Sequence, residues 1–275
     1  IFMTTISEHP KSGRTIKVLQ ITDTHLFSDS SGCLLGLNTE QSLNAVIADV
    51  HASHSQAEVI LATGDLVHDG TPAAYRRIFS HLESFGLPVY CLPGNHDECK
   101  TLEHTLDDGN IQYTDHADIA NWRFIFLDST IPDSEGAHLT QETLALLEKQ
   151  LEAAPDRHTL VCLHHQPLPM GSGWLDTMAV DNPKDFFTII DKHPQVRGIL
   201  WGHVHQAYDG MYKGIKLMSS PSTCIQFLPN SDDFAVDTAN PGYRWLELHA
   251  DGRIESGIER IATLPGSVDL ASTGY

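Results

Sequence analysis

Short apolar runs alternate along this chain with longer stretches in which apolar positions return every three or four residues. TIKVLQIT (15–22) predicts a buried strand, and TEQSLNAVIADVHAS (39–53) predicts a helix with Leu43, Val46, Ile47 and Val50 on one face. The unit repeats with strand EVILAT (58–63), helix AAYRRIFSHLESF (73–85) started by Thr71 and Pro72, and strand PVYCL (88–92). Further strands are expected at WRFIFLDS (122–129), HTLVCLH (158–164) and VRGILW (196–201), separated by helices over 139–154 and 185–193. Beyond residue 210 the rhythm changes to strands alone: IKLMSS (215–220), then a hairpin over 243–261 that turns at Asp251-Gly252. The pattern describes an α/β fold with a β-rich C-terminal part on the same core. Residues 1–14 read as an N-terminal extension, 15–263 as a single domain and 264–275 as a loosely held tail.

Composition narrows the classes of function. With 275 residues, 41% of them hydrophobic, the chain can bury one large core. Acids outnumber bases 36 to 17, a formal charge of -19, which argues against nucleic acid or an anionic membrane as a partner held by bulk charge. The start IFMTTISEHP has no basic segment followed by a long apolar stretch, and no run reaches the length of a membrane span. A soluble, cytoplasmic protein is expected, with Ile1 and Phe2 ahead of Met3 read as a processing remnant. Cys33, Cys91, Cys99, Cys162 and Cys224 form no C-x-x-C pair and are expected to be reduced, Cys91 and Cys162 within core strands. Oligomeric state is not legible.

Histidine is the unusual component, 17 residues in all. In an open α/β sheet ligands bind beyond the carboxyl ends of the strands, so the residues that follow each apolar run carry the information. The first strand ends in Asp23 and His25, the second in Gly64-Asp65, and the third in Gly94-Asn95-His96-Asp97. Two later strands end in His164-His165 and in Gly202-His203-Val204-His205. Asp128 closes a sixth run and stands apart from the set. Each fragment alone is a common turn or a core histidine; together they place acids and imidazoles along one rim. Oxygen and imidazole donors without thiolate suit borderline divalent ions. Two such ions about 4 Å apart clamp a phosphate, and a shared carboxylate holds them together. Asp65, alone after its strand, is the natural bridge.

The order Asp-x-His, Gly-Asp, Gly-Asn-His-Asp, Val-x-x-His, Gly-His-x-His over residues 23–205 resembles the calcineurin-like metallophosphoesterase signature. Within that superfamily the chain is similar to bacterial class III cyclic-AMP phosphodiesterases through VLQITDTHLF (18–27), GSGWLD (171–176), SSPSTCIQF (219–227) and LELHADG (246–252). The resemblance implies a four-layer α/β/β/α sandwich with two mainly mixed sheets and a metal site at the C-terminal ends of strands. It implies one metal on Asp23, His25, Asp65 and His205, and a second on Asp65, Asn95, His164 and His203. Fe²⁺ or Mn²⁺ is expected, with Zn²⁺ and Mg²⁺ also compatible. Substrate would meet His25, Asp65, Asn95, His96 and His205. The implied reaction is hydrolysis of 3′,5′-cyclic AMP to 5′-AMP by a hydroxide held between the metals, with His96 as proton donor to the leaving oxygen. A glycerophosphodiester, a 2′,3′-cyclic nucleotide or a nucleotide pyrophosphate is the alternative substrate, and a non-catalytic scaffold the alternative class. His164 is preferred over His165 because VCLH matches Val-x-x-His, leaving His165 to orient its neighbours. Trp174 could stack on a purine or pack on the core. Ser222 and Thr223 could line the site or hold a turn, and His68 and Asp69 could support the site or face solvent.

Overall fold

The computed structural model describes residues 13–106 and 109–274. Most of the expected 1–14 extension, Ile1 and Phe2 included, lies outside the described residues, as does Tyr275 at the end of the tail. In chain order the first half contains β1 (Ile16–Ile21), β2 (Cys33–Leu34), β3 (Leu37–Asn38), α1 (Thr39–Ser53), β4 (Val59–Thr63), α2 (Pro72–Glu83), β5 (Val89–Leu92), α3 (Cys99–Thr105), β6 (Ile111–Tyr113), β7 (His116–Ile119) and β8 (Trp122–Leu127). The second half contains β9 (Thr130–Ile131), β10 (Ser134–Ala137), α4 (Gln141–Glu152), β11 (His158–Leu163), α5 (Gly173–Asp176), α6 (Pro183–Ile190), β12 (Val196–Trp201), β13 (Tyr208–Tyr212), β14 (Ile215–Ser219), β15 (Gly242–Leu248) and β16 (Ile254–Arg260).

Two six-stranded sheets result, in the orders β16-β15-β1-β4-β5-β6 and β13-β14-β12-β11-β8-β7. In the first, β1, β4, β5 and β6 run parallel, and β15 adds antiparallel beside β1 with Ile16 opposite Leu248. In the second, β8, β11, β12 and β14 run parallel between antiparallel edges β7 and β13. Both sheets are therefore mixed. Parallel neighbours bring their C-terminal ends, and whatever follows them, to the same rim.

Alternation along the strands assigns the layers. Ile16 and Val18 of β1, with Val59 and Leu61 of β4, face Trp122, Phe124, Leu160, Cys162 and Leu200 of the second sheet and make the inter-sheet core. Leu19, Ile21, Ile60, Ala62 and Cys91 point the other way, onto Leu43, Val46 and Val50 of α1 and Tyr75, Ile78 and Leu82 of α2. The outer face of the second sheet packs Ile125, Leu163 and Trp201 against Leu147 and Leu151 of α4 and Phe186 and Ile190 of α6. The order of layers is α/β/β/α.

Side-chain caps fix the helix starts. Asn38 accepts from Gln41 N at 2.8 Å, Thr71 from Ala74 N at 3.3 Å with Pro72 following, and Thr140 from Thr143 N at 3.1 Å. Of the tail, Leu264 and Val268 pack against the outer core, and Asp269 N donates to Leu35 O at 2.8 Å. All five cysteines are unpaired, and among the described residues no helix is long and apolar enough to cross a membrane.

Candidate metal centre

The polar ends of β1, β4, β5, β11 and β12 meet where the two sheets open at one end, so the rim belongs to both sheets and not to one. The chain turns out of these strands through left-handed backbone at Asp23 (φ 54°), His25 (φ 45°), Asp65 (φ 49°), His203 (φ 64°) and His205 (φ 47°). A run of non-glycine residues in this region is strained, and such strain collects where a site over-determines the backbone. Close approach explains the glycines between them. A Cβ on Gly64 would strike the His164 ring, and one on Gly94 would strike the Asp65 carboxylate.

Around Asp65 the geometry is tight. Its Oδ2 lies 3.3 Å from His164 Nε2 and 3.6 Å from His25 Nε2, while Oδ1 accepts from His96 N at 2.9 Å. Asp23 Oδ1 lies 3.4 Å from His205 Nε2 and accepts from His203 N at 3.0 Å. His25 Nε2 and His205 Nε2 are 3.2 Å apart. Two backbone carbonyls set the tautomers: His164 Nδ1 donates to Thr63 O at 2.8 Å and His205 Nδ1 to Ile225 O at 2.9 Å, which turns each Nε2 inward. His165 Nδ1 meets Ser129 Oγ at 2.8 Å. Asp97 binds the loops together, accepting from Gly94 N at 2.9 Å, Leu66 N at 3.1 Å and the Tyr75 hydroxyl at 2.9 Å.

Several inward atoms are buried without a hydrogen-bond partner: Asp23 Oδ2, Asn95 Oδ1, His164 Nε2, His165 Nε2 and His203 Nε2. Leaving a buried polar group unmatched costs about 1–3 kcal/mol each, so a cluster of them points to a missing electrophile. The donor set fits cations: two carboxylates, an amide oxygen and imidazole nitrogens, with Asp65 reaching both halves.

Burial dominates the charge states. It holds His25, His203 and His165 well below the ordinary histidine range, and neighbouring imidazoles add to the effect. Burial would raise Asp65, but the imidazoles of His164, His96 and His25 outweigh it and keep the carboxyl well below its usual range. Burial would lower His164; Asp65 and Asp23 overcome that and bring it up to about 9. Cys224 lies in ligand reach of His25 and His205, yet burial pushes its thiol up to about 12. Its Sγ donates to Asp23 O at 3.5 Å.

All eight residues singled out in the sequence converge here. Asp128 does not; it accepts from Thr130 N at 2.9 Å and holds a turn. Ser222 ties down the Asp23 loop by donating to Asp23 O at 2.7 Å, and Asp69 accepts from Ser28 N at 2.8 Å. His68 supports the site: its Nδ1 is 3.4 Å from His25 Nδ1 and its ring stacks on His96 at 4.8 Å. The orienting carbonyls of Thr63 and Ile225 carry no sequence signal, because any residue supplies a carbonyl. Asp97 had one, its place in the Gly-Asn-His-Asp run.

The family model for calcineurin-like phosphoesterases matches residues 16–207, which contain Asp23, His25, Asp65, Asn95, His96, His164, His203 and His205. The chain belongs to that family. It is 42% identical over 265 residues to the 3′,5′-cyclic adenosine monophosphate phosphodiesterase CpdA of Vibrio vulnificus, covering 96% of this chain and 97% of that one. It is 40% identical over 261 residues to the CpdA of Escherichia coli K12, covering 94% and 95%. A dimetal phosphatase from Danio rerio shares the fold, with a TM-score of 0.59 at 13% identity over 90% of this chain and 99% of that one. Metallophosphoesterases of this family use a dinuclear centre, and the cluster above supplies donors for one.

Proposed function

We propose that this chain hydrolyses 3′,5′-cyclic AMP to 5′-AMP. The single observation that carries the reading is the group of partnerless buried donors, Asp23 Oδ2, Asn95 Oδ1, His164 Nε2 and His203 Nε2, gathered around a carboxylate that reaches both halves of the cluster. Asp23, His25, Asp65 and His205 would hold one divalent cation, and Asp65, Asn95, His164 and His203 the other. When bound, the two ions neutralise charge on the phosphate and acidify water. Fe²⁺ or Mn²⁺ suits this set best. The CpdA relatives support cyclic AMP as the ester, and their match runs nearly end to end.

The residues divide the remaining work. Asp65 is anchored by His96 N, so its second oxygen is presented rigidly to both sides. His96 is half-buried beside the cluster, its ring edge-on to His25 at 4.9 Å and backed by His68. In this reading His96 would give a proton to the departing ribose 3′-oxygen, and proton donation to so poor a leaving group lowers the barrier directly. Two dications less two carboxylates leave a local positive surplus for a phosphodiester monoanion. The acids elsewhere on the surface are screened beyond about 8–10 Å. Residues 15–263 are taken as one domain, because β15 and β16 complete the first sheet beside β1. Five unpaired cysteines accord with a cytoplasmic setting.

The test is a substrate panel on metal-stripped protein reloaded with Fe²⁺, Mn²⁺, Zn²⁺ or Mg²⁺. Selective cleavage of 3′,5′-cyclic AMP over 3′,5′-cyclic GMP, 2′,3′-cyclic AMP and a glycerophosphodiester is expected. Equal turnover of the glycerophosphodiester would reject the assignment of substrate.

A further inference from the structure

Beside the metal cluster lies a cavity of about 180 Å³. Asn95, His96 and His203 line it together with Trp174, Met178 and Phe234, and Glu135 and Gly274 complete the lining. The lining thus joins proposed metal donors and the proton donor to an apolar, partly aromatic group. Trp174 is held in place by rings: it meets Phe227 edge-on at 4.9 Å and Phe234 at 5.0 Å. Phe227 in turn stacks on His205 at 4.2 Å with an interplanar angle of 12°, which locks the aromatic wall to the cluster. Within this apolar wall the Trp174 indole Nε1 is buried and has no acceptor.

We infer that this cavity is the nucleobase subsite, with Trp174 as its specificity-determining residue. The inference rests on the phosphodiesterase reading and extends it to the part of the substrate remote from phosphorus. An apolar, partly aromatic lining favours a planar ring system, and base–aromatic contact is favourable for any base. Exposed Glu135 in the lining offers an acceptor for an exocyclic amine. A glycerol or simple alkyl ester presents no flat face, so the cavity would hold it poorly. Because the cavity adjoins His96, a base seated there brings the ribose 3′-oxygen toward the proton donor, as remote binding energy used for orientation requires.

The experiment compares kcat/KM for 3′,5′-cyclic AMP with that for methyl ribofuranoside 3′,5′-cyclic phosphate, which keeps the ester and lacks the base. Wild type, Trp174→Phe and Trp174→Ala are assayed fully metal-loaded, with metal content measured on each. The ratio of the two specificity constants should fall about tenfold or more in Trp174→Ala, through KM for the nucleotide. Trp174→Phe keeps a ring, loses the N–H and should lie between; it also serves if the alanine variant does not fold. A ratio unchanged in Trp174→Phe and Trp174→Ala, or a wild type that does not distinguish the two esters, overturns the subsite while leaving the hydrolase intact. Binding of 5′-AMP followed by indole fluorescence separates the two readings. Quenching in wild type that disappears in Trp174→Phe supports the subsite even should cyclic AMP hydrolysis fail, and absence of quenching rejects it.

Discussion

Two of the polar regions that bridge the sheets are built in opposite ways. At one, Arg244 of β15 is fully buried and every donor is matched. Its guanidinium reaches Asp209 at 2.9 and 3.0 Å, Ser219 O at 3.0 and 2.8 Å, Tyr208 O at 3.0 Å and Ser256 Oγ at 2.7 Å. At the other, Asp23 Oδ2, Asn95 Oδ1, His164 Nε2 and His203 Nε2 are buried atoms without a hydrogen-bond partner. The two regions are almost contiguous. Gln20, opposite Arg244 in the strand register, donates to Thr63 Oγ1 at 2.8 Å and Trp201 O at 2.9 Å just below the cluster. One polar layer thus runs from a satisfied end to an unsatisfied end. A matched buried charge tells of architecture; an unmatched set tells of a ligand.

Substitutions can break this contrast. Asp65→Asn should cut hydrolysis by more than about a thousandfold and deplete both cations, measured by steady-state kinetics and elemental analysis. Its metal-free form should unfold within a few degrees of the parent; a collapse in stability would make Asp65 architectural instead. His96→Ala should slow cyclic AMP turnover by about 10²–10⁴ with metal content unchanged, and slow an activated aryl ester much less. Equal losses on both esters would argue against proton donation. Arg244→Met should behave inversely, losing about 2–4 kcal/mol in denaturant unfolding while kcat/KM of the folded protein stays within about twofold.

A third ion pair sharpens the comparison from the weak end. Arg123 grips Asp118 with two bonds of 2.8 Å at the β7–β8 edge, but Asp118 faces solvent. Burial opposes ionisation there, and the Arg123 guanidinium overcomes it, so the Asp118 carboxyl lies below its usual range. A depressed folded value contributes stability above pH about 4, the unfolded value, and that contribution is lost as pH falls through the folded one. Asp118→Asn should cost only about 0.5–1 kcal/mol at neutral pH after solvent screening, and flatten the acid limb of a stability–pH curve.

The cluster was legible in the sequence because parallel strands deliver their C-terminal ends to one rim, which groups Asp23 with Asp65 and Asn95 in the first sheet and His164 with His205 in the second, while the meeting of the two groups comes from the packing of the sheets. Arg244 was not. It sits at an inward position of an alternating strand, and only the pairing of β13 and β14 with the second sheet supplies its partners. Short edge strands such as β6 and β7 also escaped, having too few apolar residues to make a run. Helix α3 buries only Leu102 and offers no periodicity to read. The contact of Trp174 in the short helix α5 with Phe227 and Phe234 of the connection between β14 and β15 joins distant parts of the chain, and no local pattern encodes that meeting.

The left-handed turns at Asp23, His25, Asp65, His203 and His205 limit how this centre can change. A β-branched side chain at any of them would meet a steric cost of about 1–2 kcal/mol before its chemistry counted. Aspartate, asparagine, histidine and glycine tolerate that backbone far better. Exchange among those four would alter metal preference with the loops left as they are, so the rim can be retuned to another ion more readily than it can be rebuilt.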